Sequence, residues 1–302
     1  SRTGRLGKRS GDLMINGGTG LVGLLGNPVK HSLSPAMHNA ALQKMALNWR
    51  YLALPCQAEN LSDVLPGLRA VGCHGLHVTI PHKQAVAALC NELSPLARRL
   101  GAVNTLIPSP DGGWYGTNTD VEGFLAPLGD STSWAGANAV VLGCGGSARA
   151  VVAGLQSLRL NTITVVGRRS DALQAFIRDL QQEQAPLIGC LETEEQGLRA
   201  LGKAQLVVNT TPVGMAQHGE AGAIPMGEAI WTTLSSETVL YDLIYTPRPT
   251  AWLAAGRSRG QRCIDGLDML VQQGAASLRL WSERNDVPVA TMRTAAETAL
   301  AA

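Results

Sequence analysis

The chain has 302 residues, enough for roughly two domains. With 45% hydrophobic and 16% charged residues it has the make-up of a globular protein with a sizeable core, and a net charge of +2 gives no electrostatic reason to expect nucleic acid or an anionic membrane as partner. No apolar run reaches the ~18 residues that a membrane span needs.

Residues 1–13 hold Arg2, Arg5, Lys8 and Arg9 against Asp12 alone and read as a flexible tail. They have neither the apolar stretch of a secretory signal nor the amphipathic stripe of a transit peptide. Gly20–Gly26 reads as a small-residue strand, broken by Asn27-Pro28. Ser34 before Pro35 reads as an N-cap with proline at the first helical position, and the helix runs over 36–47. If the chain between them is extended, Ser32 and Ser34 point the same way. Two hydroxyls at a helix N-terminus can hold a carboxylate or a phosphate, and plain capping by Ser34 is the alternative.

A second strand over 50–55 and a helix over 61–70 follow. In a third strand, 75–81, Leu76, Val78 and Ile80 share one face, His77 and Thr79 the other. Pro81 is expected to end that strand and open a helix, with Lys83 in the first turn. The positive end of the helix dipole disfavours a cation there, which suits an amine that exchanges protons; an ordinary surface lysine is the alternative. His74 and His77 fall on opposite faces with no third ligand near, so no metal site is expected. A strand over 101–107, a turn at Asp111-Gly112-Gly113 and a returning segment over 114–120 read as a hairpin that brings Asn104 near Asp120. Asp120 also reads as the N-cap of a helix over 121–125.

The stretch 140–150 is the most informative. Asn138–Leu142 reads as a buried strand, Gly143, Gly145 and Gly146 follow, and apolar residues then recur at helical spacing to Leu160. Strand, glycine turn and helix, with Ala148 as the third small residue, form the context in which backbone N–H groups and a helix dipole take a pyrophosphate; a plain strand-to-helix turn needs the same residues. The next strand, over 162–166, ends in Gly167-Arg168-Arg169-Ser170 where an NAD site carries an acidic residue. Two arginines and a hydroxyl suit the 2′-phosphate of NADP, the alternative being a basic surface loop, and helix initiation accounts for Asp171.

A strand over 205–209 runs into the loop 210–215, at the strand end where open α/β sheets bind ligands. Strands over 239–245 and 263–265, a helix from Gly266 to about Trp281 carrying Gln273, and an alanine-rich helix over 289–302 complete the chain, the last read as packing filler. Six cysteines without a Cys-x-x-Cys pair indicate reduced thiols in the cytoplasm and no zinc site.

Taken together, Ser-Leu-Ser-Pro at 32–35, Val-Thr-Ile-Pro-His-Lys at 78–83, Gly-Ala-Val-Asn-Thr at 101–105 and Asn-Thr-Asp at 118–120 resemble shikimate dehydrogenases. So do Gly-Cys-Gly-Gly-Ser-Ala-Arg-Ala at 143–150, Asn-Thr-Thr-Pro-Val-Gly-Met at 209–215, Tyr-Asp-Leu-Ile-Tyr at 241–245 and Met-Leu-Val-Gln-Gln at 269–273. The resemblance implies two α/β domains flanking a cleft: a substrate-binding domain, 14–120 completed by 267–302, and a Rossmann-type NADP domain, 121–266. It implies that Ser32 and Ser34 bind the substrate carboxylate, that Thr79, Asn104, Asp120 and Gln273 bind ring hydroxyls, and that Tyr245 lines the pocket. Lys83 and Asp120 would be the catalytic pair. Gly143, Cys144, Gly145, Gly146 and Ser147 would hold the pyrophosphate, Gly167, Arg168 and Arg169 the 2′-phosphate end, and Leu243 and Gly266 the nicotinamide.

The implied reaction is reversible reduction of 3-dehydroshikimate to shikimate by NADPH, in aromatic amino-acid (chorismate) biosynthesis. Two departures stand out: His77 in place of the usual asparagine, and Gly167-Arg168-Arg169 in place of Asn-Arg-Thr. A quinate/shikimate dehydrogenase is the nearest rival, and serine at 34, where quinate users often carry threonine, favours shikimate. A non-catalytic NADP or shikimate sensor is less favoured because Lys83 and Asp120 are both present. The expected partner is the small-molecule substrate, with no nucleic acid or membrane and a homodimer left open. The residues before Gly20 are too few for a fused dehydratase domain, so none is expected.

Overall fold

The computed structural model describes residues 14–183 and 185–302; the tail expected over 1–13 lies outside them. β1 (Gly20–Gly26) and β2 (Trp49–Pro55) form a parallel pair, and β3 (Gly75–Val78) runs parallel to β1 on its other side. The glycine turn at 112–113 closes the expected hairpin of β5 (Thr105–Pro108) and β6 (Trp114–Thr117), with Thr105 opposite Thr117. A short β4 (Glu92–Leu93) pairs with β6, giving the order β2-β1-β3-β5-β6-β4.

Both faces of this sheet are covered. Leu76 and Val78 pack with Leu61 and Leu65 of α2 (Leu61–Ala70) and with Trp114. Met37 and Leu42 of α1 (Ser34–Lys44) pack opposite, with Leu267 and Leu278 of α10 (Leu267–Ser282) and Met292 of α11 (Val289–Ala301). The alanine-rich last helix is therefore more than filler: Met292 and Ala296 are fully buried in the core that α11 shares with α1 and α10.

The second sheet is wholly parallel. It comprises β7 (Asn138–Leu142), β8 (Thr162–Gly167), β9 (Leu187–Leu191), β10 (Leu206–Asn209), β11 (Val239–Asp242) and β12 (Cys263–Ile264), in the order β12-β11-β10-β7-β8-β9. Its strands are near-continuous apolar runs because helices cover both faces. α6 (Gly146–Gln156) and α7 (Ser170–Leu180) lie on one side, α8 (Glu195–Lys203) and α9 (Ala251–Ser258) on the other. The order reverses between β7 and β10, so the loops leaving their C-terminal ends diverge and open a crevice, the ligand position of doubly wound sheets. No helix among the described residues is long and apolar enough to cross a membrane.

Several local expectations are corrected. β3 stops at Val78, since His82 N donates to Thr79 O (3.0 Å) and turns the chain; Ile80 is 62% exposed and takes no part in the core. α3 (Lys83–Leu89) opens at Lys83 itself, so Pro81 lies outside the helix while the lysine keeps its first-turn position. Ser34 does not cap α1 but is its first residue, and Ser32 Oγ accepts from Ser34 N (3.1 Å). Asp120 likewise opens α5 (Asp120–Leu125) with Thr119 at the cap position, leaving its carboxylate for other partners. Gly101 is not in a strand; it ends α4 (Pro95–Leu100) in the left-handed region, φ 62°. β11 ends at Asp242 instead of 245 because the Asp242 carboxylate accepts from Ile244 N (3.2 Å) and Thr250 Oγ1 (2.9 Å), bending the chain out of the sheet.

Candidate active site

The site is built where the two sheets face each other. Lys83 is delivered by the start of α3 and Asp120 by the end of the β5–β6 hairpin. Lys83 Nζ donates to Asp120 Oδ2 at 2.7 Å and to Ser147 Oγ at 3.4 Å. The two side chains are only 11% and 7% exposed. An ammonium carries three donors, and two are used in these contacts.

Asn104 fixes the carboxylate. Its Nδ2 donates to Asp120 Oδ1 (3.2 Å), Thr119 Oγ1 (2.8 Å) and Gln273 Oε1 (3.3 Å). Its Oδ1 accepts from Thr119 N (2.7 Å) and Thr105 Oγ1 (2.8 Å). Ser277 stands 2.7 Å from Thr105 Oγ1 and 2.9 Å from Thr119 Oγ1. Both oxygens of Asp120 thus have fixed partners, and α10 is tied to the hairpin through Gln273 and Ser277. Gly123 allows that approach, since a Cβ there would lie 2.7 Å from Met269 O. The reading from sequence missed Thr105, Thr119 and Ser277. A helical spacing of four does put Gln273 and Ser277 on one face, which was the available signal.

Two cavities meet at the Lys83–Asp120 pair. One, of about 580 Å³, is lined by Ser32, Ser34, Thr79, Asn104, Asp120 and Gln273, with Tyr245, Leu243 and Gly266 on the wall across from β3. The other, of about 770 Å³, follows the glycine turn from Gly143 through Cys144, Gly145 and Gly146 to Gly167, Arg168 and Arg169. Lys83 and Ser147 line both. Every residue that the resemblance assigned to substrate, catalysis or cofactor therefore borders one cavity or the other. Among the described residues no group of three or more His, Cys, Asp or Glu side chains could hold a metal.

The glycines have separate reasons. Gly143 has φ +104°, and a Cβ there would come within 2.5 Å of Thr210 Oγ1, which itself donates to Leu142 O (2.7 Å). At Gly145 an added Cβ would meet nothing within 4 Å, so the space before the α6 N-terminus is open to a ligand. Ala148 is fully buried and lets α6 approach the sheet. Gly266 abuts the Leu243 backbone, where a Cβ would overlap the carbonyl oxygen. The loop after β10 is shaped by Asn209, whose Oδ1 accepts from Thr211 N (3.0 Å) and whose Nδ2 donates to Asp242 Oδ1 (3.1 Å). Burial pushes the Asp242 carboxyl up to about 6 despite its donors.

Comparison with known proteins places this geometry among relatives. A family model described as the shikimate dehydrogenase substrate binding domain matches residues 24–106, and one described as the shikimate 5'-dehydrogenase C-terminal domain matches 266–297. A curated relative from Synechocystis, named shikimate dehydrogenase (NADP(+)), is 48% identical over 283 residues, covering 93% of this chain and 96% of its own. A crystal structure of shikimate 5-dehydrogenase from Thermus thermophilus, in complex with NADP(H) and shikimate, aligns with TM-score 0.80 at 32% identity over 93% of this chain and all of its own. Quinate dehydrogenase from Corynebacterium glutamicum in complex with NAD aligns with TM-score 0.81 at 28% identity, over 93% of this chain and 99% of its own.

Proposed function

The chain belongs to the shikimate dehydrogenase family, and from that premise we propose that the cleft carries out the reversible, NADPH-dependent reduction of 3-dehydroshikimate to shikimate. The observation that carries this reading is the 2.7 Å Lys83–Asp120 pair at the junction of the two cavities. Residues 14–120 with 267–302 make the substrate-binding body, and residues 121–266 the NADP-binding body.

The chain fits NADP. The open space at Gly145, the α6 N-terminus behind it and the pair Arg168 and Arg169 suit a pyrophosphate and a 2′-phosphate. When bound, NADPH supplies the hydride. Lys83 Nζ gives a proton to the carbonyl oxygen during reduction and takes it from the hydroxyl in the reverse direction. Asp120 holds the amine and, with Asn104 and Gln273, orients the ring hydroxyls. Ser32 and Ser34 take the carboxylate, and Thr79 and Tyr245 shape the walls. Leu243 and Gly266 would border the nicotinamide, and Gly143 to Ser147 would hold the pyrophosphate.

The test is NADPH formation followed by absorbance with shikimate and NADP⁺, against quinate and NAD⁺ controls. Turnover of shikimate with NADP⁺ supports the reading. Preferential turnover of quinate would overturn the substrate assignment, and tight NADP binding without turnover would overturn the enzymatic one.

A further inference from the structure

His77 is 3% exposed, yet the residue lines the substrate cavity with Ser32, Ser34 and Thr79. Its Nδ1 lies 2.7 Å from the hydroxyl of Tyr51. Its Nε2 is buried and has no partner in the protein. Folded proteins rarely leave a buried ring nitrogen unpaired, because desolvation is not repaid. The ring cannot turn away to find a partner: Trp281 packs edge-on at 4.6 Å and His38 at 5.1 Å, while His38 stacks on Tyr51 at 4.4 Å.

We propose that Tyr51 locks His77 in the tautomer that carries its proton on Nε2, making His77 a substrate-binding donor that determines the fit of the substrate oxygen lodged beside Ser32 and Ser34. In that tautomer the Tyr51 hydroxyl donates to Nδ1 and the ring proton resides on Nε2, the atom without a protein partner. The groups facing the ring are His38, Tyr51 and Lys83, and none is an anion. Burial, with the His38 and Lys83 charges adding to it, holds the imidazole neutral, and burial holds the Tyr51 phenol protonated. An acceptor oxygen on the ligand completes the hydrogen bond that the His77 ring leaves unmade. This inference rests on the shikimate reading of the cavity.

The test uses the full chain labelled with ¹⁵N-histidine, together with the variants Tyr51→Phe and His77→Leu. Tyr51→Phe removes a single hydroxyl and keeps the ring packing. The wild-type His77 signals should show a pyridine-like Nδ1 and a pyrrole-like Nε2, and shikimate should shift the Nε2 resonance. Tyr51→Phe should raise the shikimate KM by about tenfold, the loss of one hydrogen bond, while kcat and the NADP KM stay within about twofold, as uniform binding requires. His77→Leu should do the same, and the double variant should add little to it. A proton on Nδ1, an Nε2 signal indifferent to shikimate, an unchanged KM in Tyr51→Phe, or a fall in kcat in place of a rise in KM would each overturn the assignment. Wild-type protein that fails to oxidise shikimate would refute the functional reading itself; normal wild-type turnover with unaltered Tyr51→Phe kinetics would refute this inference alone.

Discussion

Lys83 Nζ touches Ser147 Oγ across 3.4 Å, so the first residue of α3, beside the N-terminal sheet, contacts the first turn of α6, on the parallel sheet. The amine proposed to handle the proton is thereby tied to the turn proposed to hold the pyrophosphate, so that in this reading the two halves of the reaction share one residue.

Replacing that amine should separate chemistry from binding. Lys83→Ala is expected to lower kcat by about 10²–10⁴, the range of a lost general acid–base group, with a far smaller change in shikimate affinity. Steady-state kinetics together with shikimate titration of the NADP⁺-bound protein checks this. An equal loss of affinity at unchanged turnover would refute the proton-transfer role.

The two arginines after β8 should discriminate cofactors. Arg168→Ala is expected to raise the NADP KM by about 10–100-fold, the worth of a charge-assisted hydrogen bond, and to leave the KM for NAD nearly untouched. Parallel assays with both cofactors decide it, since a basic loop without a 2′-phosphate role would change neither or both alike.

Gly143 and Gly145 should respond differently to the same added methyl group. Gly143→Ala forces φ +104° on an alanine and a contact with Thr210 Oγ1, so thermal stability should fall by about 1–3 kcal/mol from the backbone alone. Gly145→Ala meets no protein atom. Its melting temperature should stay near wild type while NADP affinity drops, because the methyl takes the space proposed for the phosphates. Differential scanning calorimetry with and without NADP⁺ separates the two effects.

Acid should destabilise the N-terminal body through its buried imidazoles. Burial lowers the His38 pKa to about 3, against about 6.5 in the unfolded chain. A depressed folded-state value contributes stability that is present above pH 6.5 and lost as pH falls toward 3, by up to ~1.4 kcal/mol per unit. His77 is shifted the same way and adds to the slope. Denaturant unfolding across this window should show a shallower pH dependence in His38→Leu than in wild type, and an identical slope would contradict the assignment.

Much of this protein is local in origin. The strand–glycine–helix stretch over 138–156, the Arg168-Arg169 pair and the turn at 112–113 follow from short-range rules of backbone geometry and charge, and they appear in the structure within a few residues of their expected bounds. The first-turn place of Lys83 also survived, although Pro81 proved to lie outside the helix. Short elements such as α4, β9, α8 and α9 were not legible, because five to nine residues carry too little periodicity to identify them.

What the sequence could not contain is contact between residues far apart along it. Asn104, Asp120 and Gln273 meet only because α10 returns to cover the N-terminal sheet, and Gly123 sets how closely it does so. The capping roles expected for Ser34 and Asp120 were displaced as well: each opens its helix, and Asp120 instead holds a lysine from another element. His77, marked in the sequence only as a departure from the usual asparagine, meets Tyr51 of β2 and the cavity through the fold alone. Sequence alone determined which groups were available and how each turn could bend; the packing of helices on two sheets decided which groups face one another, because burial and hydrogen-bond satisfaction are properties of the whole fold.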